Sequence, residues 1–314
     1  MRVTMHGRGS IKTASKKAEI HPSNHILLSR RWRLGDIVMC EPVSRLLSKE
    51  GSLTFATRTE YIPLVQSFHE TPPATIRYPV MDMKKYNRVI NLDVVDLLHK
   101  GYTSKVDALL ACAGMDPSSL SDEEKRPVID LPNRYDAWAK SMFSKRGIEG
   151  SVICMTRQSW NARSPRNIPV ETLDEICRSL VKDHSVVILG SSPVKLRWSN
   201  PNLHNLTGST PDIMSTAGLI SNSRLLVSVD TGLMHLCGAM GIPMVTAMGP
   251  TLPEDVSSFY PNNTIIHAGR EGCCPCFERG CDDPCLRSVS AEMMMGVIEE
   301  RLSSPSSETR VIGV

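Results

Sequence analysis

The sequence predicts an α/β protein built from two Rossmann-like halves. Three observations carry that prediction. Short apolar runs of strand length alternate with segments of helical spacing, which is the pattern of βαβ units around a parallel sheet. The alternation restarts after Gly147 and Gly150. A length of 314 residues suits about two domains at roughly 150 residues each.

The elements follow in chain order. Residues 1–24 are basic, polar and aperiodic, and read as a mobile tail. Residues 26–29 form an apolar strand. A turn through Gly35-Asp36 then opens a helix marked by Ile37, Val38, Val43, Leu46 and Leu47. Strands are expected at 52–56, 75–78 and 88–92, with helices near 60–68 and 105–113. After a polar stretch, a helix runs from Tyr135 to about Lys145. The second half reads strand 151–155, polar loop 156–169, helix from Val170 to about Lys182, and strand 185–189 ending at Gly190. A helix near 211–221, strand 224–229, a helix through Gly238 and strand 243–247 come next. The last helix spans about 290–302, and 303–314 reads as a frayed tail. The expected organisation is tail 1–24, domain 25–148, domain 149–289, and a terminal helix and tail 290–314.

Composition excludes several classes. A charged fraction of 22% with 41% apolar residues is ordinary for a globular chain and excludes wholesale disorder. No apolar run reaches the roughly 18–20 residues of a spanning helix. The cations Arg2, Arg8, Lys12, Lys16 and Lys17 are followed by no apolar core, so the start is not read as a secretory signal, and a cytoplasmic place is expected. The net charge of +3 is too small to mark a nucleic-acid binder by itself.

Three polar stations lie at predicted strand ends, where open parallel sheets bind ligands. Asp36 follows the first strand; it reads either as a helix cap or as a carboxylate able to accept a proton from a hydroxyl. Asp230-Thr231-Gly232 opens a helix whose free N–H groups suit a diphosphate, with His235 one turn inside. The plain alternative there is a capped helix with a buried histidine. The loop 156–166 carries Arg157, Ser159, Arg163 and Arg166, which reads as a phosphate-binding loop or as a solvated basic one.

Together these stretches resemble glycosyltransferase family 9, the heptosyltransferases. The resemblance rests on Arg33-Leu-Gly-Asp-Ile-Val-Met-Cys-Glu-Pro-Val-Ser-Arg-Leu-Leu47, on Leu206-Thr-Gly, and on the run from Leu219 to Thr251 that contains Asp230-Thr-Gly-Leu-Met-His235. It implies a GT-B architecture, two Rossmann-like domains facing across a cleft, and sugar transfer from a nucleotide diphosphate with inversion and no catalytic metal. Asp36 then matches the general base and Asp230 the acid that holds donor sugar hydroxyls. Thr231, Gly232 and His235 match the diphosphate cradle. Arg166 stands where the family has a lysine that neutralises the leaving diphosphate. Arg157, Ser159, Arg163 and Gly190 complete the expected donor site. After strand 185–189 the loop reads Gly190-Ser-Ser-Pro-Val, without the acid that relatives use for the ribose, so the nucleotide is left open.

Five of the ten cysteines fall between Cys273 and Cys285. Cys273, Cys276, Cys281 and Cys285 have a spacing that would suit tetrahedral zinc, with free thiols or a disulfide as the alternative. A metal there would be structural, and none is required for catalysis. The expected partners are a nucleotide-diphosphate sugar and a glycan acceptor such as a surface glycan or lipopolysaccharide core. A hydroxylated base in modified viral DNA is the alternative acceptor, favoured slightly by the basic start of the chain. A non-catalytic sugar-nucleotide or nucleic-acid binding module would be expected to lose Asp36. A dinucleotide oxidoreductase would need a G-x-G-x-x-G turn after the first strand, which is absent.

Overall fold

The computed structural model describes residues 24–95, 101–156, 165–191, 193, 195–257, 259–276, 284–304 and 308–314. Two parallel sheets form its frame. The first holds β1 (His25–Ser29), β2 (Ser52–Thr57), β3 (Ala74–Arg77) and β4 (Arg88–Asn91) in the order β3-β2-β1-β4. Ile26, Leu27 and Leu28 are all buried, as expected for a parallel strand covered on both faces. The second sheet holds β5 (Val152–Thr156), β6 (Ser185–Leu189), β7 (Leu203–Asn205), β8 (Leu225–Val229), β9 (Met244–Met248), β10 (Asn263–His267) and β11 (Arg310–Gly313), ordered β11-β10-β9-β8-β5-β6-β7.

The order of strands reverses between β1 and β4 in the first sheet and between β5 and β8 in the second. Crevices open at the carboxyl ends of strands at such switch points. Asp36 follows β1 and Asp230 follows β8, so both stand beside one.

The helix expected over 37–47 is two helices, α1 (Leu34–Met39) and α2 (Glu41–Leu47), which meet at Cys40. The helix expected near 60–68 is shorter, a single turn at Thr59–Tyr61 followed by α3 (Ile62–Val65). Helix α4 (Lys105–Cys112) starts at Ser104, whose hydroxyl accepts from the Asp107 N–H at 3.1 Å. Beyond α5 (Asp122–Lys125), α6 (Asn133–Arg146) ends at Gly147, which takes φ 63°. Helices α7 (Val170–Leu180), α8 (Ile213–Ser221), α9 (Gly232–Ala239), α10 (Pro253–Val256) and α11 (Ala291–Ser303) belong to the second half.

Residues 303–314 are not a frayed tail throughout. Arg310–Gly313 adds in parallel to β10, with Ile312 opposite Ile266 and the Val314 N–H donating to the His267 carbonyl at 3.1 Å. Four residues with two apolar side chains give too short a pattern to mark a strand; the exposed edge of β10 supplies the pairing. β7 and β10 were likewise unmarked by the sequence. Among the described residues, no helix is long and apolar enough to cross a membrane.

Candidate active site

The turn after β1 sets the first carboxylate. Arg33 takes φ 65°, a left-handed conformation that costs a residue with a Cβ roughly 1 kcal/mol or more. This bend starts α1 at Leu34 and puts Asp36 inside its first turn. Asp36 is therefore not the cap of α1, and its carboxylate turns to two cations instead. Oδ2 is bonded by Arg30 Nη2, and Oδ1 lies 2.7 Å from Lys105 Nζ. Arg30 is completely buried and donates through Nη1 to the Leu92 carbonyl at 2.7 Å. Asp93 accepts from the Arg31 N–H at 3.0 Å and from its guanidinium. Arg31 also lies over the ring of Tyr78, and Arg58 over that of half-exposed Trp32, each at 4.8 Å.

The turn after β8 sets the second carboxylate. Asp230 Oδ2 accepts from Thr251 Oγ1 at 2.7 Å and faces Arg166 Nη1 at 3.2 Å. Thr251 follows β9, so neighbouring strand ends share this acid. Thr231 is the N-cap of α9, and no side chain caps that helix, which suits an anion at its N–H groups. The Thr231 hydroxyl stands 3.4 Å from Ser228 Oγ, which lies 2.8 Å from Thr156 Oγ1 at the end of β5.

His235 joins the two turns. Its Nε2 is 3.9 Å from Asp230 Oδ1 and its Nδ1 is 3.1 Å from the Tyr260 hydroxyl. Burial pushes the imidazole down to about 4, against the opposing pull of Asp230 and Asp36. The ring is neutral at pH 7, and a Tyr260 hydroxyl that donates to Nδ1 leaves the ring proton on Nε2, facing Asp230. A Cβ added to Gly35 would fall 2.4 Å from His235 Cδ2, and one added to Gly232 would fall 2.6 Å from Leu34 Cβ. Helices α1 and α9 thus cross at bare glycine backbone. That crossing brings Asp36 and Asp230, which follow strands of different sheets, near enough to His235 for both to act on its charge.

The structure therefore brings Asp36, Arg166, Asp230, Thr231, Gly232 and His235 together. Gly190 follows β6 at the same sheet edge, with Thr207 and Gly208 as neighbours. Arg157, Ser159, Arg163 and Cys281 lie outside the described residues. The cysteine loop packs on the turn after β9: the Cys276 N–H donates to the Pro250 carbonyl at 2.8 Å, and Cys274 Sγ to the Gly249 carbonyl at 3.5 Å. Burial, with Cys285, Glu254 and Asp255 nearby, pushes the Cys274 thiol up to about 11. The described cysteines, Cys273, Cys276 and Cys285 among them, are free thiols, and no metal-holding group of three or more His, Cys, Asp or Glu occurs among the described residues. Arg30, Lys105 and Tyr260 went unmarked by the sequence: the partners of Lys105 and Tyr260 are distant in the chain, and Arg30, six residues before Asp36, stands in a run of arginines that does not show which one turns inward.

Comparison with known proteins bears on the second half of the chain and on the fold. Residues 171–287 match the sequence model of Glycosyltransferase family 9 (heptosyltransferase). Lipopolysaccharide heptosyltransferase 1 of Escherichia coli K12 is 38% identical over 55 residues, 18% of this chain and 17% of that protein. The chain thus matches about a sixth of that relative's length. The fold is shared more widely. A family 9 glycosyltransferase from Veillonella parvula superposes with a TM-score of 0.71 over 91% of this chain and 99% of its own, at 16% identity. A dodecameric iron-containing heptosyltransferase of enterotoxigenic E. coli, solved with ADP-D-β-D-heptose, superposes with a TM-score of 0.65 over 91% of this chain and 77% of its own, at 14% identity. The architecture is GT-B.

Proposed function

We propose that this chain, which carries the family 9 signature over residues 171–287, is an inverting glycosyltransferase that moves a sugar from a nucleotide diphosphate to an acceptor hydroxyl. The observation that carries the reading is the α1–α9 crossing, where the turn that holds Asp36 packs on His235 and Asp230 lies 3.9 Å from its Nε2. In this reading Asp36 accepts the proton of the acceptor hydroxyl. The hydroxyl oxygen bonds to the anomeric carbon as the bond to the diphosphate breaks, and the electron pair leaves with the diphosphate. Arg166, the N–H groups that open α9 and the Nε2–H of His235 stand where that charge develops, and fixed donors there lower the barrier. Asp230, steadied by Thr251, holds donor sugar hydroxyls. Arg157, Ser159, Arg163 and Gly190 are assigned to the nucleotide side.

ADP-heptose is the first donor to try, since a relative of the same fold binds it. The acceptor is assigned to a surface glycan or lipopolysaccharide core, reached from the cytoplasmic side. Trp32, flanked by Arg31 and Arg58 at the lip beside Asp36, favours one second reading, a hydroxylated base in nucleic acid, because exposed aromatics among cations stack bases. A thermal-shift panel of nucleotide diphosphates and their sugars selects the donor, and transfer to core oligosaccharide or to hydroxymethylated duplex DNA then decides the acceptor. Asp36→Asn is expected to cut turnover at least about a hundredfold while the donor-induced shift is kept. Near-normal turnover in that variant removes Asp36 as the base.

For the cysteine loop the candidate is a structural zinc on Cys273, Cys276, Cys281 and Cys285, with free thiols or a disulfide as the alternative. Zinc suits four thiolates, and iron is measured beside it because an iron-containing protein shares the fold. Elemental analysis of unchelated protein decides between the metal and the alternative, close to one equivalent of metal supporting the bound ion. A value under about a tenth of an equivalent of either metal withdraws the assignment.

A further inference from the structure

We infer that Lys105 is a positioning residue for Asp36, one that together with Arg30 fixes the plane of the carboxylate for proton transfer. The inference rests on the transferase reading above. Asp36 is held at both oxygens, Oδ2 by Arg30 Nη2 and Oδ1 by Lys105 Nζ at 2.7 Å. The holders come from different elements. Arg30 leaves the end of β1 and is tied to the end of β4 through the Leu92 carbonyl. Lys105 is the first residue of α4, whose start is pinned by Ser104. All three side chains lie inside, with exposures of 0% for Arg30, 10% for Lys105 and 6% for Asp36.

The terminal torsion of an aspartate is broad and only two-fold, so a single partner leaves the carboxylate free to swing. Cations on both oxygens define its plane. A carboxylate has about four lone-pair directions, so each oxygen keeps a direction for an acceptor hydroxyl. Placement of this kind is worth orders of magnitude in rate when the proton donor arrives in line. Neutralising Asp36 would need only Arg30; the second cation adds orientation.

The groups facing Asp36 are Arg30 beyond β1, Lys105 on α4, His235 on α9, Tyr61 before α3 and Cys40 after α1. Burial pushes the thiol of Cys40 and the phenol of Tyr61 up, and holds the His235 imidazole at about 4. All three stay uncharged across the neutral range; the charged groups there include Lys105 and Arg30, and Asp93, whose Oδ1 lies 4.0 Å from Arg30 Nε.

The test follows release of the nucleoside diphosphate by the full chain, with the donor selected above and water as acceptor, ADP-heptose being tried first. Lys105→Met is expected to lower kcat about tenfold or more with KM for the donor within about twofold. Lys105→Arg, which restores a cation, is expected to recover most of kcat. A Lys105→Met enzyme with wild-type kcat overturns the inference and leaves the transferase reading standing. So does an Arg variant no better than Met at equal melting temperature. A wild-type chain that turns over no donor in the panel overturns the reading and the inference together.

Discussion

At the scale of single residues, His235 links stability to pH. Its imidazole has an ordinary value of 6.5 and is pushed down to about 4 in the fold, chiefly by burial. Below pH 6.5 the unfolded chain takes up a proton that the folded chain refuses until about pH 4. The contribution of this group is therefore fully present above 6.5 and is lost as pH falls toward 4. The difference corresponds to about 3 kcal/mol, as an order of magnitude. Urea midpoints measured between pH 7.5 and 4.5 are expected to fall less steeply in His235→Gln than in wild type. Parallel slopes would mean that the imidazole is not buried as neutral. His235 was legible in the sequence as a candidate, one turn into a helix after Asp-Thr-Gly, and the resemblance rather than the spacing chose the site over a buried structural histidine. Its partner Tyr260 was not, because that hydroxyl arrives from the far side of β9. Asp36 shows the same division: the Gly-Asp turn is local and readable, whereas its contact with Lys105 depends on how α4 returns to the sheet.

At the scale of elements, the α1–α9 crossing makes a sharp claim about glycine. Gly35→Ala should stabilise an isolated helix, by roughly 1 kcal/mol on intrinsic propensity. Here the new Cβ would fall 2.4 Å from a ring that is buried and hydrogen-bonded to Tyr260, so the crossing must open. Overpacking of that kind costs roughly 1–3 kcal/mol, which outweighs the propensity gain. Gly296, inside α11 with nothing within 4 Å of an added Cβ, is the control. Gly296→Ala is expected to raise the urea midpoint and Gly35→Ala to lower it; a rise in both would mean that α1 and α9 are not in close contact. Buried charge also ties elements together. Glu41 and Arg45 pair within α2 at 2.8 Å, and Arg45 then donates to the Glu124 and Arg126 carbonyls at 3.1 Å, fastening the segment after α5. The sequence shows Glu41 and Arg45 at helical spacing, but not that the pair is buried, because burial is decided by that distant segment. Of the strands it missed, β7 and β11 are short and lie at the sheet edges, where pairing with a neighbour does what local pattern cannot; β10, between β11 and β9, has only Ile265 and Ile266 as apolar residues among its five.

At the scale of the whole molecule, two switch points face the same work. Each sheet reverses its strand order once, and each reversal presents an acid at the carboxyl edge, Asp36 beside β1 and Asp230 beside β8. The alternation of runs was enough to read the α/β class and the two halves. Their mutual seating was not readable, because it rests on shape: a bare backbone at Gly35 against His235, and at Gly232 against Leu34. The halves are stitched further by the Ile129 N–H donating to the Ala239 carbonyl at 3.0 Å and by Asn222 donating to Asp136 at 2.9 Å. This reciprocal seating has a consequence for exchanging parts between related enzymes. A chimera that takes its first half from one parent and its second from another inherits a glycine from each and the bulky side chain that fills it from the other. The two halves of this chain are therefore exchangeable with those of a relative only as matched sets, with residues 34, 35, 232 and 235 transplanted as a single unit.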